Sequence, residues 1–121
     1  MPLLNFQPRF APLVERGEKR QTIRPPRKWP LQEGEVLHLY TGLRTSRARK
    51  LGTGRVTQVA DVAITLDGMV WLSSRAVVRG RHLDHIAHLD GFADHYELLT
   101  WLLETHGLPF AGTLIRWELM L

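Results

Sequence analysis

Gly17-Glu18-Lys19-Arg20-Gln21-Thr22-Ile23-Arg24-Pro25-Pro26 is the stretch on which the fold of this chain turns. Gly17 closes a helix predicted over Pro8 to Arg16, with proline at its start and Phe10, Leu13 and Val14 on one face. Pro25 disfavours helical geometry in the residue before it, so Thr22 to Arg24 is expected to be extended. The chain therefore leaves a helix, makes a short strand and enters a proline-containing loop over Arg27 to Glu33. Lys19, Arg20, Thr22 and Arg24 all fall within the eight residues from Gly17 to Arg24.

Outward from there the pattern alternates. Leu3 to Gln7 reads as a strand, and so does Glu35 to Tyr40, where Val36, His38 and Tyr40 alternate with Leu37 and Leu39. Leu51 to Ala60 and Val62 to Leu66 read as two further strands. Asp67-Gly68 is a hairpin turn leading into Met69 to Leu72. His82 to His88 is a short helix or turn. Asp94 to His106 is the strongest helix, with Asp94 as N-cap, Glu97 three residues on, and an apolar face of Leu98, Leu99, Trp101 and Leu102. Gly107 and Pro109 stop it, and Thr113 to Met120 alternates as a final strand. Five or six strands with helices between them and no βαβ rhythm predict an α+β fold, a mixed barrel rather than a parallel sheet.

At 121 residues this is one domain, spanning residues 1–121, with enough apolar residues for a real core. The absence of cysteine excludes a disulfide framework, a zinc-cysteine site and a thiol nucleophile. It fits a reducing, cytoplasmic setting. The N-terminal MPLLNFQPRF lacks the pattern of a secretory signal, and no apolar run approaches the roughly 20 residues that span a bilayer. Charge is divided unevenly: residues 1–55 hold 12 Lys/Arg against 4 Asp/Glu, and residues 56–121 hold 4 against 8. A basic half containing Arg20, Arg24, Arg27, Lys28, Arg44, Arg47, Arg49 and Lys50 attracts phosphates or other anions.

Crowded cations disfavour the charged form of a neighbouring lysine, and a lysine so tuned serves as a general base. Thr22 supplies a hydroxyl near Lys19. An exposed basic turn with a β-forming threonine has the same composition, so spacing alone leaves both readings open. His82, His85 and His88 recur every third residue, with Asp84 and Asp90 near. They fan too widely over a regular helix to meet at one ion, and no metal or other cofactor is expected. Trp101 and Trp117 lie on apolar faces and are expected in the core, with Phe6 and Phe10. Trp29, in the basic loop, and Tyr40 are the better candidates for stacking on a base.

Phe6-Gln7-Pro8-Arg9-Phe10, then Gly17-x-Lys19-x-x-Thr22-Ile23-Arg24, then Gly34-Glu35-x-Leu37-x-Leu39-Tyr40 resemble the N-terminal signature of the ASCH family. Tyr40 to Thr45 is similar to a loop of phage-type members, and Asp90-Gly91-Phe92, Gly107 to Phe110 and Arg116-Trp117 complete the order. The resemblance covers nearly the whole chain. It implies a PUA-like, mostly antiparallel β-barrel flanked by short helices, with a cleft beside the Lys19–Arg24 segment. It also implies RNA-related function. A small bacterial member hydrolyses the amide of N4-acetylcytidine with a lysine, a threonine and a glutamate. Lys19 and Thr22 match the first two, and Asp90 stands at the glutamate's place, one methylene shorter. By that resemblance Thr22 attacks the acyl carbonyl, Lys19 is the base, and Asp90 orients Lys19 or protonates the leaving amine; an activated water with Thr22 only positioning is the variant.

Arg24, Tyr40, Arg44, Trp29 and Phe6 are then expected to bind substrate. The expected partner is a modified nucleoside or RNA, with no membrane, and the expected state is a monomer. An N4-acylcytidine amidohydrolase ranks first, a non-catalytic RNA-binding module second and a ribonuclease third.

Overall fold

The structure, a computed structural model, describes residues 2–73 and 76–120. Strand β1 (Leu3–Phe6) alternates outward and inward residues, burying Leu4 and Phe6. Helix α1 (Ala11–Glu15) is shorter than expected. Residues 8–10 form a turn instead, closed by Phe10 N–H on the Gln7 carbonyl at 2.9 Å. Gly17 ends the segment with φ 74°, a conformation open to glycine at little cost. Strand β2 (Gln21–Arg24) follows, then β3 (Val36–Thr41), whose strict alternation buries Leu37, Leu39 and Thr41.

Strand β4 (Arg49–Ile64) is one strand of 16 residues where two were expected. The anticipated break at Asp61 does not occur, because Asp61 faces solvent while its backbone pairs opposite Thr113. The Thr65–Met69 turn, with Gly68 at φ 84°, leads into β5 (Val70–Leu72). Strand β6 (Ala76–Val78) pairs with β5 and had no clear signal in the sequence. A 3₁₀ turn (Gly80–Leu83) runs into α2 (Asp84–Leu89). Helix α3 (His95–His106) is capped as expected: the Asp94 carboxylate accepts the Glu97 N–H at 3.0 Å. Strand β7 (Phe110–Met120) closes the chain.

These elements make a mixed α+β fold around a seven-stranded, mostly antiparallel sheet among the described residues. Long β4 organises it. One edge of β4 pairs with β7 from Thr53 to Ile64; the other pairs with β3 at its start and β5 at its end. Strand β2 extends the sheet beyond β7, and β1 beyond β3. The β1–β3 pair is parallel, made possible because the intervening chain crosses through α1 and β2. One hydrophobic cluster gathers Phe6, Leu37, Leu39, Ile115 and Trp117 from the strands with Leu98 and Leu102 from α3. Leu13, expected in the core, is only half-buried. Among the described residues no helix is long and apolar enough to cross a membrane.

Candidate active site

The backbone after α1 aims Lys19 into the protein. The Glu18 and Lys19 N–H groups both donate to the Leu13 carbonyl, at 2.9 and 3.1 Å. Arg20 N–H then bonds Leu89 at the end of α2, and Arg20's carbonyl accepts from Trp117 on β7. Held between α2 and β7, the alternating chain sends Lys19 inward and leaves Arg20 exposed.

Asp90 caps the C-terminal end of α2, its N–H bonded to the Ile86 and Ala87 carbonyls at 3.1 Å. Its side chain meets Lys19: Nζ lies 2.7 Å from Oδ1, with both side chains under a tenth exposed. Lys19 Nζ also donates to the Gln21 carbonyl at 2.8 Å and to Asp90's own carbonyl. Three acceptors occupy the three protons of an ammonium. The rings of Phe10 and Phe6 flank it at 4.8 and 5.7 Å. The other Asp90 oxygen, Oδ2, accepts from Gln21 Nε2 at 2.8 Å.

Two influences oppose each other at Lys19. Burial disfavours the ammonium, while Asp90 favours it by charge and hydrogen bond. Burial is the larger, and Lys19 titrates below its ordinary value, with Arg24 and Arg9 adding repulsion in the same direction. The cationic neighbour is therefore Arg9 as well as Arg24, and not Arg20, which the strand turns away.

Thr22 on β2 is buried, and its Oγ1 accepts from Arg24 Nε at 3.1 Å. Arg24 also donates to the Asn5 carbonyl at 2.6 Å and stacks 4.9 Å over Phe6. Burial lowers the Arg24 guanidinium to about 10. Lys19, Thr22, Arg24, Asp90 and Phe6 all line one cavity of about 210 Å³. Its opposite wall comes from α3, through Leu98, Trp101, Leu102 and His106. Trp101 is thus half-buried, packed against the edge of the core where it walls the cavity, and meets Phe10 edge-on at 5.7 Å. Trp117 is in the core, against Phe6 at 5.6 Å.

Three expected site residues lie elsewhere. Trp29 is 77% exposed in its loop, beside Lys28. Tyr40 is half-buried on β3 and is not among the residues lining the cavity. Arg44 is exposed at φ 68° on the loop that follows β3, and the anticipated pocket-facing pair reduces to Arg24 alone. The loop is tied to β1, where Asn5 Oδ1 accepts the Leu43 N–H at 3.0 Å. There a separate groove is lined by Gly42, Thr45, Arg47 and Arg49. His82, His85 and His88 are exposed, with His88 Nε2 2.7 Å from the Ala93 carbonyl. Among the described residues no group of three or more histidines and acids is placed to hold a metal ion.

Several participants were not read from the sequence. Gln21, fully buried, is one, and Arg116, whose Nε donates to Gln21 Oε1 at 2.9 Å, is another. Neither carries a local signal, since their meeting depends on the β2–β7 register. Gly91 is a third. It has φ 92°, and a Cβ there would stand 3.2 Å from Lys19 Cδ. Trp101 was discoverable: Leu98, Trp101, Leu102 and Thr105 recur at helical spacing along one face of α3.

No family model matches the chain, and no curated protein or solved structure matches it either.

Proposed function

We propose that this protein is an amidohydrolase that cleaves the N4-acyl amide of N4-acylated cytidines or cytosines, on a PUA-like barrel of the ASCH type. One observation carries the reading: a buried lysine–carboxylate pair, its members 71 residues apart in sequence, shares one aromatic-walled cavity with a buried threonine. Buried ion pairs are costly to retain, and a desolvated titratable group in a cleft marks a candidate catalytic site.

The chemistry is acyl transfer. Neutral Lys19 gives up its bond to the Gln21 carbonyl, turns its lone pair to Thr22 and takes the hydroxyl proton as Oγ1 attacks the acyl carbonyl carbon. Collapse of the tetrahedral intermediate breaks the C–N bond, the exocyclic nitrogen leaves with a proton returned from Lys19, and a water then hydrolyses the threonine ester to release the acid. Burial that favours neutral Lys19 supports its work as a base. Asp90 orients Lys19, because both its oxygens are already engaged, and protonation of the leaving amine does not fall to it. Arg24, whose Nε lies beside Thr22 Oγ1, is the candidate donor for the developing oxyanion. Lys19 activating a water, with Thr22 positioning the amide, uses the same groups.

The cavity, about 210 Å³, is smaller than the roughly 300–1,000 Å³ of sites that enclose drug-sized ligands. It suits a heterocycle with a short acyl group and leaves a ribose at the mouth. The groove lined by Arg47 and Arg49 favours a second reading, a non-catalytic RNA-binding module. Chromatography of N4-acetylcytidine incubated with the protein, beside a salt series of RNA binding, separates the two. Release of cytidine and acetate supports the hydrolase. Tight, salt-sensitive RNA binding without hydrolysis overturns it.

A further inference from the structure

Arg116 stands outside the cavity, in a shallow depression with Arg20, Thr57 and Glu118. Its Nε donates to Gln21 Oε1 at 2.9 Å and its Nη1 to Gln58 at 3.2 Å. Gln21 passes the contact inward, with Nε2 bonded to Asp90 Oδ2 at 2.8 Å and to the Ile86 carbonyl at 3.2 Å. A guanidinium only donates, so it fixes which end of the Gln21 amide faces it. The NH₂ group is thereby committed to Asp90.

We infer that Arg116 is a positioning residue for the reaction proposed above: it locks the Gln21 amide, and the locked amide holds Asp90 as an acceptor on Oδ2 with Oδ1 presented to Lys19. The relay rests on the amidohydrolase reading only for its catalytic consequence; its effect on Lys19 is independent of any substrate. Without Arg116 the amide is free to turn its oxygen toward Asp90. That sets an oxygen against the carboxylate, displaces Oδ1 and weakens its hold on the lysine ammonium. The charged groups facing Lys19 are Asp90 after α2, Arg24 on β2 and Arg9 before α1, and His106 of α3 lines the same cavity. Gln21→Met leaves all of these charges in place, whereas Arg116→Met also removes the guanidinium that acts on Asp90 by charge.

The test is a direct NMR titration of the Lys19 side chain in the wild type, Gln21→Met, Arg116→Met and Gln58→Met. Gln21→Met keeps the shape without the hydrogen bonds. Gln58→Met removes Arg116's other partner and spares the relay. The expected result is a downward shift of Lys19 titration by about one pH unit in Gln21→Met and Arg116→Met, with Gln58→Met unchanged. Above the Lys19 titration, where the base is neutral in every variant, hydrolysis of N4-acetylcytidine should show roughly tenfold lower kcat in the first two variants at unchanged KM, because Asp90 no longer holds Lys19 in place, and the acid limb of the kcat profile should move down with the titration. Should Gln21→Met fail to fold, Arg116→Met, at a half-exposed site, decides alone. A Lys19 titration identical in wild type and a folded Arg116→Met overturns the relay. Shifted titration in a wild type that hydrolyses no amide leaves the relay standing and removes the substrate reading instead.

Discussion

Asp90→Asn removes one charge from the buried pair and keeps its shape. The structure sets the cost. Lys19 keeps an acceptor there but loses the opposite charge 2.7 Å away that compensates its burial. With the asparagine oxygen kept toward Lys19, its NH₂ faces the Gln21 NH₂ across the former 2.8 Å bond, leaving buried donors unsatisfied at about 1–3 kcal/mol. The expected total is the ~3–5 kcal/mol typical of breaking one side of a buried ion pair. The loss also depends on pH. Lys19 is already lowered from its ordinary 10.5 by burial, and Asp90 is what pulls it back up. In the variant it falls further. Between that lowered value and 10.5 the unfolded chain binds the extra proton, so the variant's stability rises with pH there. The wild type gains the same relief only at higher pH, and the gap between the two narrows. Urea unfolding followed by tryptophan fluorescence at pH 7 and near pH 10 measures this, with a midpoint about 2 M lower for the variant at pH 7. A gap below about 1 kcal/mol at pH 7, or one of equal size at both pH values, refutes the reasoning.

Gly91→Ala meets both a positive φ and the Lys19 stem at 3.2 Å, and should cost about 1–3 kcal/mol and lower turnover, read by thermal melting and by hydrolysis of N4-acetylcytidine. Trp117→Ala should cost about 3–5 kcal/mol in urea unfolding. Gly54→Ala, whose Cβ would stand 2.7 Å from the Trp117 indole, should cost about 1–3 kcal/mol, and less when Trp117 is already alanine, in a double-mutant cycle. Trp29→Ala, at an exposed site off the cavity, should change stability by under about 0.5 kcal/mol and leave turnover alone, whereas Trp101→Ala at the cavity wall should raise KM in steady-state kinetics.

Local signals carried much of the fold. Asp94 and Glu97 mark the start of α3, Gly107 its end, and the alternation of Leu37 and Leu39 fixes the inward face of β3. The single long β4 was not legible, since Asp61 interrupts an apolar pattern that pairing with β7 carries across the polar residue. The parallel β1–β3 pair was hidden for a related reason: it joins segments separated by α1 and β2. At the site, Lys19 and Thr22 were visible as neighbours in sequence, while Asp90 was reached only through resemblance and then placed by folding. Gln21 and Arg116 carry no pattern that a strand's own sequence displays. Tyr40, Trp29 and Arg44 have the right composition for a cleft, but the cavity is lined without them, and the loop that bears Arg44 is tied to Asn5 instead.

The most direct test of the account is the time course of N4-acetylcytidine with the wild type and with Lys19→Ala, both checked for folding by circular dichroism. The account predicts cytidine and acetate in equal amounts from the wild type and none above background from Lys19→Ala. Undiminished hydrolysis by a folded Lys19→Ala, or no cytidine from the wild type, contradicts it.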